Sequence, residues 1–215
     1  MGEEQRSGGR TASPGPPGPA APSGHPDRDR WNARYGGGFV PSFAPHRLVV
    51  QGLSMGLPDG PVADLACGPS GSALLAASAG REVTAVDVSD VALRLLGQEA
   101  RRLGLADMIT LVEADLTSWR PPEKSFSLVL CTGYWDRGLF PPAAQAVIPG
   151  GLLGWEAFTD AARRVRPGLC ADWSLGPGEP VSLLPPGFEV LAELDLPDAE
   201  NGDKRRLLAR RQAVS

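Results

Sequence analysis

The chain has 215 residues, of which 42% are hydrophobic and 21% charged, with a formal net charge of −4 at pH 7, a profile that suits one globular domain able to bury a substantial core. No apolar run approaches the roughly 20 residues of a membrane helix, the start lacks a basic region followed by an apolar stretch, and the acidic balance leaves no nucleic-acid footprint, so a cytoplasmic protein acting on small molecules is expected. Three cysteines, Cys67, Cys131 and Cys170, and two histidines, His25 and His46, are too few and too scattered for a disulfide framework, a zinc site or a hydrolase triad, and no metal is expected.

Residues 1–29 are rich in Pro, Gly, Ala and Ser, as in Ser13-Pro14-Gly15-Pro16-Pro17-Gly18-Pro19, and are read as a disordered tail that cannot bury enough apolar surface to offset ordering entropy. Residues 30–215 are read as one domain. Trp31 and Tyr35 open a structured lead-in, and Pro45 to Leu53 has the pattern of a helix. Strands are then expected at about Val62 to Ala66, Glu82 to Val88, Ile109 to Ala114, Phe126 to Cys131 and Gly151 to Phe158. Helices fall between them at about Ser72 to Ala79, Val91 to Leu103 and Pro141 to Val147, with apolar residues such as Leu93, Leu96 and Ala100 at helical spacing and Ser89 as an N-cap. Phe188 to Leu196 and Arg205 to Arg210, joined by Asn201-Gly202-Asp203, read as an antiparallel hairpin. The basic clusters Lys204-Arg205-Arg206 and Arg210-Arg211 read as solvated ends of an edge strand. This alternation predicts an α/β, Rossmann-like, seven-stranded sheet, mostly parallel with a C-terminal antiparallel hairpin and helices on both faces.

Three of the strands end in acid: Asp64 in Val-Ala-Asp-Leu, Asp87 in Val-Thr-Ala-Val-Asp, and Asp115 in Leu-Val-Glu-Ala-Asp. In successive parallel strands these carboxylates share the carboxyl edge of the sheet, where open α/β sheets take their ligands. A single Asp there is an ordinary cap. Three in succession, with the small-residue loop Ala66-Cys67-Gly68-Pro69-Ser70-Gly71 running into a helix, point to a nucleotide-like ligand.

The stretches Asp64-Leu65-Ala66-Cys67-Gly68, Val83-Thr84-Ala85-Val86-Asp87-Val88-Ser89, Glu113-Ala114-Asp115-Leu116 and Pro149-Gly150-Gly151-Leu152-Leu153 resemble the class I S-adenosylmethionine-dependent methyltransferases. Within that class the chain looks most like the small tellurite-resistance-type and other small-molecule methyltransferases, and the likeness runs from about Trp31 to Arg211. The resemblance implies S-adenosylmethionine as cofactor and a small-molecule acceptor. It implies cofactor contacts from Asp64, Ala66, Cys67, Gly68, Asp87, Val88, Asp115, Leu116 and Cys131. Asp87 is expected to accept the two ribose hydroxyls in charge-assisted hydrogen bonds, Asp115 the adenine amino group, and Gly68 to admit the methionine part. Asp64 would orient the loop or attract the ammonium and sulfonium charge. The loop departs from the family at Ser70, where a glycine is usual. Two other readings share these residues: a nicotinamide-dependent oxidoreductase, since the loop also fits a Gly-x-Gly-x-x-Gly pattern with Ala66 in first place, and a non-catalytic protein that binds the same cofactor.

For the acceptor, the segment after the fourth strand, Thr132 to Phe140, lies on the same edge. Tyr134, Asp136 and Arg137 are the catalytic candidates, with Asp136 placed to orient or deprotonate an acceptor and Arg137 to act there or hold the loop through a carboxylate. Trp135 and Phe140 either face the ligand or pack beneath it. Trp31, Tyr35, Phe39, Trp155, Glu156, Phe158 and Trp173 are further candidate walls.

Overall fold

Val62–Leu65 (β1), Val83–Asp87 (β2), Ile109–Glu113 (β3), Phe126–Thr132 (β4) and Val147–Phe158 (β5) run parallel, and Phe188–Leu196 (β6) and Lys204–Arg211 (β7) close the sheet as an antiparallel hairpin in a computed structural model that describes residues 24–213. The strand order is β3-β2-β1-β4-β5-β7-β6, so the chain reverses direction across the sheet between β1 and β4, the place where such folds bind ligands. The seven-stranded, mostly parallel sheet with its C-terminal antiparallel hairpin is the architecture the sequence leads one to expect. β1 and β2 are buried along their whole length, which is why both read as continuous apolar runs rather than as alternation.

Helices Arg47–Ser54 (α2), Gly71–Ser78 (α3) and Asp90–Arg102 (α4) supply one layer, where Leu48, Ala73 and Leu96 pack on Val62, Leu128 and Leu152. Phe140–Gln145 (α5) lies on the opposite face among Trp135, Trp155 and Leu139. Ser70 and Ser89 cap α3 and α4, their hydroxyls accepting from Ala73 N and Ala92 N, 3.1 Å each. Two glycines permit close approaches. A Cβ on Gly71 would sit 2.3 Å from the Phe43 carbonyl oxygen, so the lead-in backbone lies directly on the first turn of α3, and a Cβ on Gly154 would meet Leu130 at 2.9 Å where α2 packs on β5.

Four expectations are corrected. The stretch read as tail to Asp29 ends earlier, because Pro26–Gly36 forms a helix (α1) with Pro at its start, Asp27 and Asp29 in its first turn and Arg34 in its last; residues 1–23 lie outside the described part of the chain. α5 ends at Gln145 rather than Val147, and β5 begins at Val147 rather than Gly151. The cause is a register shift opposite Phe126 and Leu128, where Gly150 takes φ 80° and the chain bulges out of the ladder. Finally, the strand that carries the basic clusters is interior. β6 is the edge, and β7 lies between it and β5, so its arginines are anchored: Arg211 donates to the Gln145 and Val147 carbonyls at 2.8 and 2.7 Å, and Arg206 and Lys204 pair with Glu156.

Candidate active site at the carboxyl edge of the sheet

The loop after β1 is built around two carboxylates. Ala66 takes φ 49° and Gly68 φ 57°, and a left-handed alanine costs about 1 kcal/mol or more, a strain that surrounding contacts must hold. Those contacts are present. Cys67 N donates to the Val86 carbonyl at 3.0 Å, and Gly68 N donates to Asp87 Oδ2 at 2.8 Å while Ser89 N donates to Oδ1 at 2.8 Å. Burial pushes the Asp87 carboxyl up, and the Ser89, Gly68 and Val88 amides pull it partly back. Beyond these amides the two oxygens retain acceptor capacity, enough for two vicinal hydroxyls.

Ser70, where a glycine is usual, has a defined task. Its hydroxyl donates to Asp64 Oδ2 at 2.5 Å while accepting from Ala73 N, so it ties the carboxylate of β1 to the first turn of α3. Asp64 itself is 2% exposed, behind the loop rather than in open solvent. Its carboxyl is raised to about 6 by burial, against the Ser70 hydrogen bond, with Asp87 adding repulsion. Burial likewise pushes the Cys67 thiol well up, followed by repulsion from Asp87 and Asp64, which leaves it a neutral filler.

α1 roofs the acidic half of this edge. Arg28 pairs with Asp90 at 2.7 Å and Glu113 at 2.9 Å, Asn32 Nδ2 donates to Asp90 at 2.7 Å, and Ser89 Oγ donates to Asn32 Oδ1 at 2.6 Å. Tyr35 lies over the loop, its hydroxyl 3.1 Å from the place a Cβ on Gly68 would occupy; burial, then Asp87, raises that phenol to about 12. Asp115 stands past the end of β3 and accepts from Thr117 N at 2.8 Å, from Thr117 Oγ1 at 2.6 Å and from His25 Nε2 at 3.3 Å. Burial raises its carboxyl, but these partners together hold it below the usual range. Val88 is half-buried beside Asp87, and Leu116 is buried next to Asp115. Arg30 lies 5.1 Å over the Trp31 ring and 5.2 Å over Trp173, so the segment around Trp173 meets α1 across the edge.

The other half of the edge carries a cluster that sequence reasoning missed as a unit. Thr132, Glu156 and Arg206 are register partners on β4, β5 and β7, and alternation puts them on the α2 face, above Leu130, Gly154 and Leu208. His46, the N-cap of α2, accepts from Leu48 N through Nδ1 at 3.2 Å, which leaves Nε2 to carry the proton it donates to Glu156 at 3.1 Å. Arg206 Nε donates to the same Glu156 oxygen at 2.7 Å and Lys204 Nζ to the other at 3.3 Å. Burial alone would raise Glu156, but His46 and then Arg206 bring it down to about 2. The signal available in the sequence was a glutamate inside the apolar run Leu-Leu-Gly-Trp-Glu-Ala-Phe, since a buried charge needs a partner. A recess of about 400 Å³ opens here, bounded by His46, Arg47, Cys67, Ser72, Thr132 and Arg206 among others.

The loop after β4 is largely self-occupied. Asp136 accepts from Leu139 N at 2.6 Å and so caps the turn into α5. Arg137 makes a two-pronged pair with Glu179, 2.7 Å at each prong, and donates to the Ser174 carbonyl at 3.1 Å, holding the segment that follows β5. The Tyr134 carbonyl accepts from Trp155 Nε1 at 3.0 Å, and its phenol is raised by burial and then by Asp136, so it stays protonated at neutral pH and can donate but not abstract. Trp135, Phe140 and Trp155 form one aromatic cluster with centroids 5.0–5.9 Å apart. All three are buried, which makes them core rather than ligand walls. Cys131 is also fully buried, its Sγ 3.6 Å from the Tyr134 carbonyl. Phe158 lies under Arg166 and Lys204 at 4.4 and 5.1 Å, and a different recess of about 340 Å³, lined by Thr159, Leu175, Asp203 and Lys204 among others, opens at the β5–β7–β6 end. Among the described residues no group of three or more His, Cys, Asp or Glu is placed to hold a metal ion, and no helix is long and apolar enough to cross a membrane.

The loop, both buried carboxylates and strands β1 to β4 fall within one stretch of known type. Residues 62–151 match the methyltransferase domain family. No curated protein sequence matches the chain. Among solved structures, the chain is similar to a putative sarcosine dimethylglycine methyltransferase from Galdieria sulphuraria (TM-score 0.66, 15% identity, 86% of this chain and 98% of that one). It is also similar to magnesium protoporphyrin IX methyltransferase from Synechocystis PCC 6803 with bound SAH (TM-score 0.62, 17% identity, 86% and 94%) and to the cyclase SpnF (TM-score 0.64, 17% identity, 91% and 99%). At these identities the likeness is one of fold, and a cyclase among the methyltransferases shows that the reaction is set by the site. The matched methyltransferase segment contains the Ala66 to Gly71 loop on which the nicotinamide alternative rested.

Proposed function

We propose that the chain is an S-adenosylmethionine-dependent methyltransferase acting on a small-molecule acceptor. The observation that carries this reading is the pair of buried carboxylates, Asp64 and Asp87, locked to the loop by Ser70 Oγ and Gly68 N inside the matched segment. A nicotinamide dinucleotide would bring a pyrophosphate against these same acids, an unfavourable pairing, whereas a sulfonium and an ammonium are suited by them. The likeness of the sequence to tellurite-resistance-type and other small-molecule methyltransferases points the same way.

S-adenosylmethionine supplies an activated methyl group on a sulfonium when bound. The residues of this chain would bind and align: Asp87 the ribose hydroxyls, Asp115 and Leu116 the adenine, and Ala66 to Gly68 the methionine part through their backbone. Tyr35 and α1 exclude water from above, and most of the acceleration then comes from alignment in a dry site. In the loop after β4, the Tyr134 hydroxyl serves as a donor to the acceptor and Asp136 as its orienting group, while Arg137 acts at one remove by holding the 174–179 segment through Glu179. Calorimetry with S-adenosylmethionine, S-adenosylhomocysteine and NADH tests the assignment, followed by a panel of acceptors assayed for S-adenosylhomocysteine release. Binding of the two adenosyl ligands is expected, and NADH binding without them would overturn the reading.

The Asp64 carboxyl gives the donor a pH signature. Raised to about 6 in the folded chain, it is largely protonated at pH 5 and ionised at pH 7. A cationic ligand favours the ionised form, so a bound charge that lowers this carboxyl by about one unit should raise affinity for S-adenosylmethionine about fivefold between pH 5 and 7. Folding itself has the opposite sign, since a raised acid stabilises the folded chain at low pH and that contribution is lost as pH rises through about 6. Asp64→Asn should flatten the affinity profile, and a profile equally steep in that variant would remove Asp64 from the account.

A further inference from the structure

We propose that the recess between the N-termini of α2 and α3 and the β4–β5–β7 edge binds a carboxylate, or an equivalent oxyanion, of the methyl acceptor; this rests on the methyltransferase reading and names its substrate class. The charge of the edge changes sign along the sheet. On β1, β2 and the loop past β3 it carries Asp64, Asp87 and Asp115 and nothing basic of its own, whereas the recess beyond β4 is lined by Arg206 and, from α2, Arg47, with Lys204, Asp136, Asp160 and Asp203 outside its lining. Glu156 is the acid among these cations, and it is 4% exposed and lies behind them, bonded to His46, Arg206 and Lys204 at once. One buried negative charge thus faces two cations. Arg47 has no carboxylate partner among the described residues, so the recess retains net positive charge.

Its lining agrees with that charge. Arg47 and Arg206 stand with hydroxyls from Ser42, Ser72 and Thr132 around a space of about 400 Å³, and no Asp or Glu lines it. Glu156 fixes the Arg206 guanidinium through Nε and one Nη, so that its remaining N–H groups are held in a set direction without further ordering cost. A planar carboxylate is the ligand this geometry fits best. The acidic half of the edge suits a cationic methyl donor and the basic half an anionic acceptor, so the two charges favour the alignment that methyl transfer needs.

The donor has a carboxylate of its own, and the test separates the two sources. The chain, saturated with S-adenosylhomocysteine, is titrated at constant ionic strength with benzoate and succinate, each against its amide, with binding followed by ligand-observed NMR. Carboxylates should bind and amides should not. Arg206→Met should weaken carboxylate binding about 10- to 150-fold, the loss of a charge-assisted contact, while S-adenosylhomocysteine affinity stays unchanged. Arg47→Ala, an exposed position that does not endanger folding, should weaken it about 2- to 5-fold. Equal binding of acid and amide, or no binding of either acid, would overturn the proposal. So would an Arg206→Met variant that loses affinity for S-adenosylhomocysteine but not for 5′-methylthioadenosine, because the guanidinium would then hold the donor's carboxylate. If the unaltered chain fails to bind S-adenosylhomocysteine, the methyltransferase reading fails, and the same titration on the free chain still decides whether the recess takes carboxylates.

Discussion

Replacing Glu156 by alanine is expected to lower the free energy of unfolding by about 3 kcal/mol, the low end of the 3–5 kcal/mol range for breaking a buried ion pair. Three donors converge on this carboxylate, from α2, from Arg206 and from Lys204, and its loss leaves Arg206, whose side chain is 14% exposed, without its partner. The low end applies because Lys204, with a side chain 35% exposed, and the guanidinium, which lines the recess, can both turn toward water. Glu156→Gln keeps the shape and an acceptor oxygen and should cost about 1–2 kcal/mol, close to the worth of a hydrogen bond to a charged group. The two variants also differ from the unaltered chain in a pH-dependent way. The carboxyl lies at about 2 in the folded chain against an ordinary 4.5, so its stabilisation is fully present above 4.5 and is lost as pH falls through about 2. Urea midpoints at pH 7 and pH 3.5, with the slope unchanged, check both statements. A loss under about 1 kcal/mol for alanine at pH 7 would show that the cluster is a rim contact rather than a tie between α2, β5 and β7.

The parallel half of the sheet was legible in the sequence because burial on both faces writes long apolar runs, such as Phe126-Ser127-Leu128-Val129-Leu130-Cys131, and because each run ends where an acid or a glycine breaks it. Helix α1 was read only as a lead-in for the opposite reason. None of its residues is buried, and it is held by Arg28, Asn32 and His25 through polar contacts, which leave no periodic apolar stripe to detect. The aromatic residues after β4 were open to two readings because an exposed wall and a core filler have the same composition; only packing shows that Trp135 and Phe140 lie under Trp155. The His46, Glu156 and Arg206 cluster joins positions far apart in the chain, and no local spacing announces it. What the sequence did carry was its cause, since an apolar strand interrupted by one glutamate requires a cation nearby. Ser70 shows the converse. Seen as a departure from a glycine pattern, it proves to be the residue that caps α3 and holds Asp64.

Asp87→Ala should weaken binding of S-adenosylmethionine and S-adenosylhomocysteine about 10- to 150-fold, corresponding to about 1.5–3 kcal/mol for hydrogen bonds to a charged group. The carboxylate is preset for the task. It is 7% exposed, and its two oxygens are held by Gly68 N and Ser89 N at 2.8 Å each, so its orientation needs no ordering when two hydroxyls arrive. Alanine also strips both amides of their partner and loosens the left-handed turn at Gly68, and part of the loss would then come from the loop. Asp87→Asn separates the two effects, because its carbonyl oxygen can still accept from Gly68 N while its charge is gone. The same contact is made to any ligand with an intact ribose, and 5′-methylthioadenosine should therefore lose as much affinity as S-adenosylhomocysteine in the Asn variant, with the melting temperature nearly unchanged. Affinity for all three that is unaltered by Asn would reject the ribose contact. A loss confined to S-adenosylmethionine would instead mean that Asp87 acts on the sulfonium through its charge, and the donor would then lie closer to the β1–β2 edge than the hydroxyl pairing requires.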